Sequence, residues 1–326
     1  MTDTATLDVL GVGNAIVDVL AEADDAFLLA EGIAKGGMTL IDTPRATALY
    51  SRMNPAIEMS GGSAANTMAG IASLGGKCAY IGKVADDQLG EVFAHDIRAI
   101  GVGFATKPLS GGEPTARCLI LITPDAQRSM NTFLGASALL ESTDIDADLI
   151  RSARITYLEG YLFDRPEAKA AFFAAAKIAH EAGRKVALTL SDAFCVARHH
   201  AEFTELVGHV DILFANETEA EALTGETGFD AAVAALAKRC PIVCVTHGAA
   251  GSVIVADGKS HKIAAEPIDR LVDTTGAGDL YAAGVLYGIT AGLDLAEAGR
   301  IGSIAAAEAI GHVGPRPQRP LRELIG

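Results

Sequence analysis

The residues best suited to chemistry stand in one short segment, Asp273-Thr274-Thr275-Gly276-Ala277-Gly278-Asp279, directly ahead of a helix-compatible apolar run at 280–289. Two glycines separated by alanine at a helix start let the amides of Gly276, Ala277 and Gly278 converge on one point. The helix dipole adds positive potential there. An aspartate beside such an anion hole would repel the anion, so Asp279 is better suited to taking a proton from a nucleophilic hydroxyl. Together they suggest phosphoryl transfer to an alcohol. A plainer reading stays open at this level, in which the glycines only turn the chain and Asp279 caps the helix.

A second segment, Gly61-Gly62-Ser63-Ala64-Ala65-Asn66-Thr67, leads into Met68, Ile71 and Leu74 at helical spacing. Paired glycines admit a ligand close to the backbone, and Asn66, one turn on, offers both donor and acceptor to a polyhydroxy molecule. Gly61-x-Ser63 is not a nucleophile elbow, because Ala65 stands where that motif needs glycine. Asn14 and Asp18 follow an apolar run at 7–12, at the carboxyl edge where open α/β sheets bind ligands. Asn216-Glu217-Thr218-Glu219 follows another run; its acids suit a helix N-terminus, or Glu219 a hydrated Mg²⁺. Thr246, Gly248 and Gly251 end a further run in a loop open enough for a nucleotide, or in a tight turn. The chain has no G-x-x-x-x-G-K-[ST], no complete G-x-G-x-x-G after a strand and no H-E-x-x-H, which removes support for a P-loop ATPase, a dinucleotide dehydrogenase and a zinc protease. His199 and His200 lack partners at metal spacing and read as a solvated helix end.

These segments need elements to hold them. Short apolar runs at 7–12, 78–81, 155–158, 186–190, 212–214 and 242–245 read as buried strands, and helical spacing at 165–183 and 218–223 lies between them. Alternation of this kind predicts a parallel sheet covered on both faces. Runs at 37–42, 115–123 and 129–134, the last two joined by a turn at Pro124-Asp125-Ala126-Gln127, break the rhythm and predict a small inserted β layer. Segments 252–256 and 261–265, joined by Asp257-Gly258-Lys259-Ser260, predict a hairpin.

The chain has 326 residues, half of them hydrophobic, enough for a large core in one undivided α/β domain. Lys plus Arg number 26 against 41 for Asp plus Glu, a net charge of −15 that disfavours nucleic acid and anionic membrane surfaces as partners. Five cysteines without C-x-x-C spacing predict buried reduced thiols, and the opening segment 1–7 carries no signal-like run, so a cytoplasmic location is expected.

Taken together, the glycine pair with Asn66, the Asn-x-x-Glu and the Asp-Thr-Thr-Gly-Ala-Gly-Asp resemble the signatures of the ribokinase, or phosphofructokinase B, family of carbohydrate and nucleoside kinases, in the family's order from Gly11 to Gly314. The resemblance implies a three-layer α/β/α sandwich with a mostly parallel sheet and a small β-sheet lid, inserted at about 15–45 and 108–135 of a single domain spanning 1–326. It implies ATP and Mg²⁺ as cofactors, Asp279 as base, and the Gly276, Ala277 and Gly278 amides around the transferred group. By the same resemblance Asn14, Asp18, Gly61, Gly62 and Asn66 bind the acceptor, Asn216 and Glu219 order Mg²⁺ and phosphate, and Thr246, Gly248 and Gly251 form the nucleotide loop. Leu280-Tyr281 replaces a commoner Ala-Phe, and Ser303 stands where many members place a nucleotide-contacting Asn.

Gly13-Asn14-Ala15-Ile16-Val17-Asp18, Arg128-Ser129 and Leu188-Thr189-Leu190-Ser191-Asp192-Ala193-Phe194 are similar to the adenosine kinase group within that family. An arginine at 128 would neutralise phosphate charge in the transition state. Ile16, Leu40 and Tyr161 are candidate linings for a base. The expected reaction is transfer to the 5′-hydroxyl of adenosine or a related nucleoside; the alternatives are a ribose, fructose or ketodeoxygluconate-like sugar as acceptor, and a non-catalytic ligand-binding module. K⁺ activation and the choice between monomer and homodimer stay open.

Overall fold

The computed structural model describes residues 5–125 and 127–326, so the expectations placed on segment 1–4 and on Ala126 lie outside the described residues. Among the described residues, fourteen strands form two sheets. The larger contains β1 (Leu7–Val12), β5 (Cys78–Ile81), β6 (Gly103–Phe104), β9 (Ala153–Glu159), β10 (Lys185–Thr189), β11 (Ile212–Asn216), β12 (Ile242–Thr246), β13 (Ser252–Ala256) and β14 (Lys259–Ile263). Its order is β14-β13-β12-β11-β10-β9-β1-β5-β6, parallel up to β12 and closed at one edge by the antiparallel β13-β14 hairpin.

Both faces of this sheet are buried because the side chains of its strands alternate between two cores. Leu10, Leu158, Leu188, Leu213 and Val243 point into one. That core is completed by α6 (Pro166–Glu181), α8 (His200–Val207), α9 (Glu217–Thr224) and α10 (Phe229–Leu236), with α5 (Ala147–Ser152) and α7 (Ala193–Arg198) alongside. Val9, Tyr157, Ala187, Phe214 and Cys244 point into the other, against α3 (Ser63–Ser73), α4 (Gln88–Ala99) and α11 (Ala277–Thr290). Outside α11 lies α12 (Leu295–Ile310), joined to it through Leu280, Ile301 and Ala305.

The smaller sheet has the order β3-β8-β7-β2-β4, with β2 at Ile16–Glu22, β3 at Met38–Leu40, β4 at Ile57–Gly61, β7 at Ala116–Ile122 and β8 at Arg128–Phe133. Helices α1 (Asp25–Ala30) and α2 (Thr43–Tyr50) cover it, Leu28 and Leu49 meeting Val17, Val19 and Leu121 in the shared core. Strand β4 lies outside the segments expected to form the lid: it runs antiparallel to β2, pairing Asp18 with Met59 and Ile16 with Gly61.

One further expectation is corrected. The β13-β14 hairpin turns on Asp257-Gly258 alone, since Lys259 already pairs with Ala256; both turn residues have positive φ, 50° and 70°, as a two-residue type I′ loop requires. His199 and His200 do lie at a helix end, His200 exposed and His199 half-buried. They sit where α7 meets α8, with His199 Nε2 2.9 Å from Asp164 Oδ1 and His200 Nε2 3.0 Å from the Leu223 carbonyl. All five cysteines are free and buried.

Candidate active site

The carboxyl ends of the central strands, the N-termini of α3 and α11 and the inner face of the small sheet enclose a cavity of about 790 Å³. Topology explains its place. Strand β1 lies inside the large sheet between β9 and β5, and the chain leaves it directly for β2 of the small one, so the gap between the sheets opens at the strand ends.

Asp279 lines this cavity in the first turn of α11, and Gly276 begins that helix with φ 79°, the left-handed conformation that glycine adopts without cost. A side chain at Gly276 would also meet Pro315, its Cβ coming within 2.5 Å of Pro315 Cβ. The Ala277 N–H donates to the Thr274 carbonyl at 3.2 Å, and Ala277 does not line the cavity, which corrects its expected place in the cradle. The N–H groups of Gly276, Gly278 and Asp279 have no hydrogen-bond partner among the described residues. At Gly278 an added Cβ meets nothing within 4 Å. The fold does not need that glycine for space, whereas an anion resting on the amides would.

Both oxygens of Asp279 are held by α3: Ser63 Oγ donates to Oδ1 at 2.6 Å and Asn66 Nδ2 donates to Oδ2 at 3.0 Å. Burial raises the Asp279 pKa from the ordinary carboxylate range, opposed by these two hydrogen bonds and by the Arg316 charge. The structure thus gives Asn66 a role beyond contact with a ligand, as an orienting partner of Asp279, while its Oδ1 stays buried and without a partner. Helix α3 starts at Gly62, where φ is 97° and a side chain would run into the Asn14 carbonyl.

Asn14 is held from three sides. Its N–H and Nδ2 donate to Glu159 Oε1 at 3.2 and 2.8 Å, its Oδ1 accepts from Ser137 Oγ at 2.9 Å, and its carbonyl accepts from the Tyr80 hydroxyl at 2.8 Å. Glu159, at the end of β9, also accepts the Ala64 N–H at 2.7 Å and so joins β1, β9 and α3. Burial pushes its carboxyl up to about 7 against the pull of those N–H donors. Asp18 faces the cavity from β2, with its carboxylate over Gly61, where a side chain would displace it. It is 8% exposed, and burial raises it to about 6 although the Arg316 and Arg128 charges act against that shift. Ile16, Leu40 and Tyr161 line the same cavity, with Met38, Ile120 and Phe194.

Arg128 reaches from β8 to the segment before the amide nest, its Nη1 2.5 Å from Asp273 Oδ2 but not aligned for a hydrogen bond, and its Nη2 has no partner. Asp273 Oδ1 accepts from the Thr275 N–H and hydroxyl at 3.0 and 2.7 Å. The arginine charge therefore pairs with the segment that leads into the nest and also acts on Asp18.

On the other side, Asn216 and Glu219 form a complete capping box: Asn216 Oδ1 accepts the Glu219 N–H at 2.9 Å, and Glu219 Oε2 and Oε1 accept the Asn216 N–H and Nδ2 at 3.0 and 2.7 Å. Both residues also line the cavity. Burial raises Glu219 to about 7, with Asp192 and Asp279 adding repulsion. Carboxylates gathered on this side of the cavity suit a hydrated divalent cation, although no group of three ligating side chains exists among the described residues. Thr246 lines the cavity beside Asn216, its neighbour across β11 and β12. Gly248 and Gly251 flank a 3₁₀ turn at Gly248–Ala250 and do not line it. Neither does Ser303, whose hydroxyl donates to the Ala264 carbonyl at 3.0 Å and accepts the Glu266 N–H at 2.7 Å, tying α12 to the segment after β14.

Sequence reasoning missed Ser63, Glu159 and Arg316. Glu159 ends a recognised strand, so the rule that singled out Asn14 applies to it equally. Arg316 carries no local signal; its partner Ser60 is 256 residues away.

A buried carboxylate one residue beyond open amides, sharing a cavity with a second carboxylate on an overlying sheet, is the layout of a small-molecule kinase on a ribokinase-like fold. The pfkB family carbohydrate kinase profile matches residues 55–322. The chain belongs to that family and is a phosphotransferase acting on an alcohol group. It is 54% identical to the adenosine kinase from Sinorhizobium meliloti, whose crystal structure superposes with a TM-score of 0.90 over 98% of both chains. A probable sugar kinase protein from Rhizobium etli CFN 42 is 50% identical, also with a TM-score of 0.90 over 98% of both. The adenosine kinase of Saccharomyces cerevisiae is 28% identical over 96% of each chain. No helix among the described residues is long and apolar enough to cross a membrane.

The buried carboxylates set opposite pH dependences for stability and activity. Asp18 is raised from 3.8 to about 6, and Glu159 and Glu219 from 4.5 to about 7, so between those limits the folded chain binds more protons than the unfolded one. Their contribution to stability is then fully present below the unfolded values and is lost as pH rises through the folded ones. Relief of the −15 net charge acts in the same direction. The melting temperature of the free protein is expected to rise from about pH 8 to about pH 5.5, while kcat/KM falls as Asp279 and Asp18 protonate. Parallel decline of both would contradict these assignments.

Proposed function

We propose that this protein transfers the γ-phosphoryl group of ATP to the 5′-hydroxyl of adenosine. The observation that carries the reading is the composition of the cavity: proton acceptor and open amides at one end, Asn14 and Asp18 beside them, and an apolar wall of Ile16, Met38, Leu40, Ile120, Tyr161 and Phe194. A sugar alone would leave that wall unfilled, whereas a planar base of low polarity covers it. Adenosine kinases among the similar proteins support the same acceptor.

The residues divide the work. Asp18 accepts hydrogen bonds from ribose hydroxyls, and Asn66 Oδ1, without a partner in the free protein, accepts another from the acceptor. Asp279, oriented by Ser63 and Asn66, takes the 5′-hydroxyl proton as the oxygen attacks in line. The Gly276, Gly278 and Asp279 amides accept the charge that develops on the transferred group, and the lid sheet excludes water. Glu219 would hold Mg²⁺ through water with Asn216 beside it, and the ion would supply charge neutralisation between the phosphates. Thr246 and the neighbouring Gly248–Gly251 turn would face the nucleotide.

The test is ADP release over a panel of nucleosides and sugars, with the product identified by mass and phosphorus NMR. Turnover with adenosine to give AMP is expected; turnover with fructose or ribose alone overturns the acceptor, and binding without turnover overturns the kinase reading. Asp18→Ala is expected to raise the adenosine KM by about 10² while kcat changes little, because it removes contacts shared by ground and transition states. An unchanged KM would remove Asp18 from the acceptor site.

A further inference from the structure

Residues 314–316 return to the site after α12. The Gly314 N–H donates to Asp273 Oδ2 at 3.1 Å, and Pro315 packs against Gly276 at the amide nest. Arg316 then crosses to the lid, where Nη2 donates to the Ser60 carbonyl at 2.7 Å and to Ser60 Oγ at 3.1 Å on β4. Ser60 is itself fixed, its N–H and hydroxyl donating to Asp96 Oδ2 on α4 at 2.8 and 2.5 Å. The residue after Ser60 is Gly61, over which the Asp18 carboxylate lies. One short segment therefore touches the nest with its proline and the floor of the acceptor site with its arginine. The Nε and Nη1 groups of Arg316 are buried and have no hydrogen-bond partner. A guanidinium does not deprotonate in proteins, so this is a fixed charge whose remaining buried donors make no local bond.

We propose that Arg316 is a positioning residue of the kinase reaction, tying the amide nest to the lid so that the Asp18 and Asp279 carboxylates stay in register. The inference rests on the function proposed above. The groups around the guanidinium are Asp18 from β2, Asp279 from α11, Asp96 from α4 and Tyr80 from β5. The Arg316 charge favours the ionised form of Asp279, together with the hydrogen bonds from Ser63 and Asn66. Asp18 is additionally faced by Arg128 from β8, while Asp279 acts on it in the opposite sense. Arg316 is thus the charge that the acceptor-binding and base carboxylates share.

The experiment is the pH profile of kcat/KM for adenosine in wild type, Arg316→Gln and Arg316→Lys, with folding checked by thermal melting. For Arg316→Gln the acid limb is expected to move up by about one pH unit and the adenosine KM at about pH 7 to rise about tenfold, with activity recovering at higher pH. A purely structural role would lower the rate equally at every pH. For Arg316→Lys the limb is expected to return to the wild-type position, with KM still raised about threefold because a single ammonium cannot reproduce the planar fork on Ser60. A folded Arg316→Gln variant with an unmoved limb overturns the proposal. If the glutamine variant does not fold, wild-type KM and limb in the lysine variant overturn it instead. Wild type inactive towards adenosine would refute the underlying reading and not this residue's part in it.

Discussion

Asp279→Asn is expected to lower kcat by about 10² to 10⁴ while changing the affinities for adenosine and ATP no more than about threefold. Asparagine has the shape of aspartate and no useful basicity, so the acceptor hydroxyl loses its proton sink and little else. The surroundings accommodate the change. Ser63 Oγ can still donate to the amide oxygen, and the Asn66 amide needs only to turn over so that its partnerless Oδ1 accepts from the new NH₂. Since burial raises the Asp279 pKa, the substitution also removes a desolvated charge, and the melting temperature should not fall. Stopped-assay turnover, calorimetric binding and thermal melting separate the three quantities. Turnover within tenfold of wild type would mean that another group removes the proton.

Gly278→Ala is expected to separate fold from function in a different way. The added methyl meets nothing within 4 Å and the residue is helical, so exchanging glycine for alanine should stabilise the free protein by about 0.5–1 kcal/mol. The same methyl stands over the open amides at the start of α11, where the transferred phosphoryl group has to approach. Displacing that group by about an ångström should cost about 10² in kcat/KM for ATP. A more stable and nearly inactive variant is therefore anticipated, read by melting temperature and ATP kinetics together. Wild-type kinetics would place the phosphoryl group elsewhere.

Much of the scaffold could be read in advance because strands buried on both faces are written as unbroken apolar runs; β1, β5 and β9 to β12 are of this kind. Strand β4 was missed for the complementary reason. As an edge strand of the small sheet it carries Ile57 exposed beside Glu58, and its sequence, Ile-Glu-Met-Ser-Gly, shows no continuous hydrophobic signal. Strand β2 was legible only as a ligand motif, because Asp18 interrupts its pattern for the sake of the cavity. Within the site, residues whose role follows from local backbone geometry, such as Gly276 and Asp279, could be singled out from spacing. Roles defined by distant partners could not. Glu159 is suspect from its place at a strand end, but its pairing with Asn14 across 145 residues is not legible, nor is that of Arg316 with Ser60 across 256. The error at Ala277 was of another sort: its amide closes a turn onto Thr274, a hydrogen bond that motif spacing does not express.

Synthesis on the ribosome proceeds from Asn14 towards Arg316, and the site draws on both. By the time β8 has emerged the lid strands can pair, yet the nest at Gly276, the base at Asp279 and the Pro315-Arg316 strap have still to be made. A nascent or prematurely terminated chain therefore has the adenosine-facing walls without the means to bring ATP to them, and it presents the apolar inner surface of the lid to the solvent. Competence for transfer therefore arrives late in translation, once the segment through Arg316 has been made.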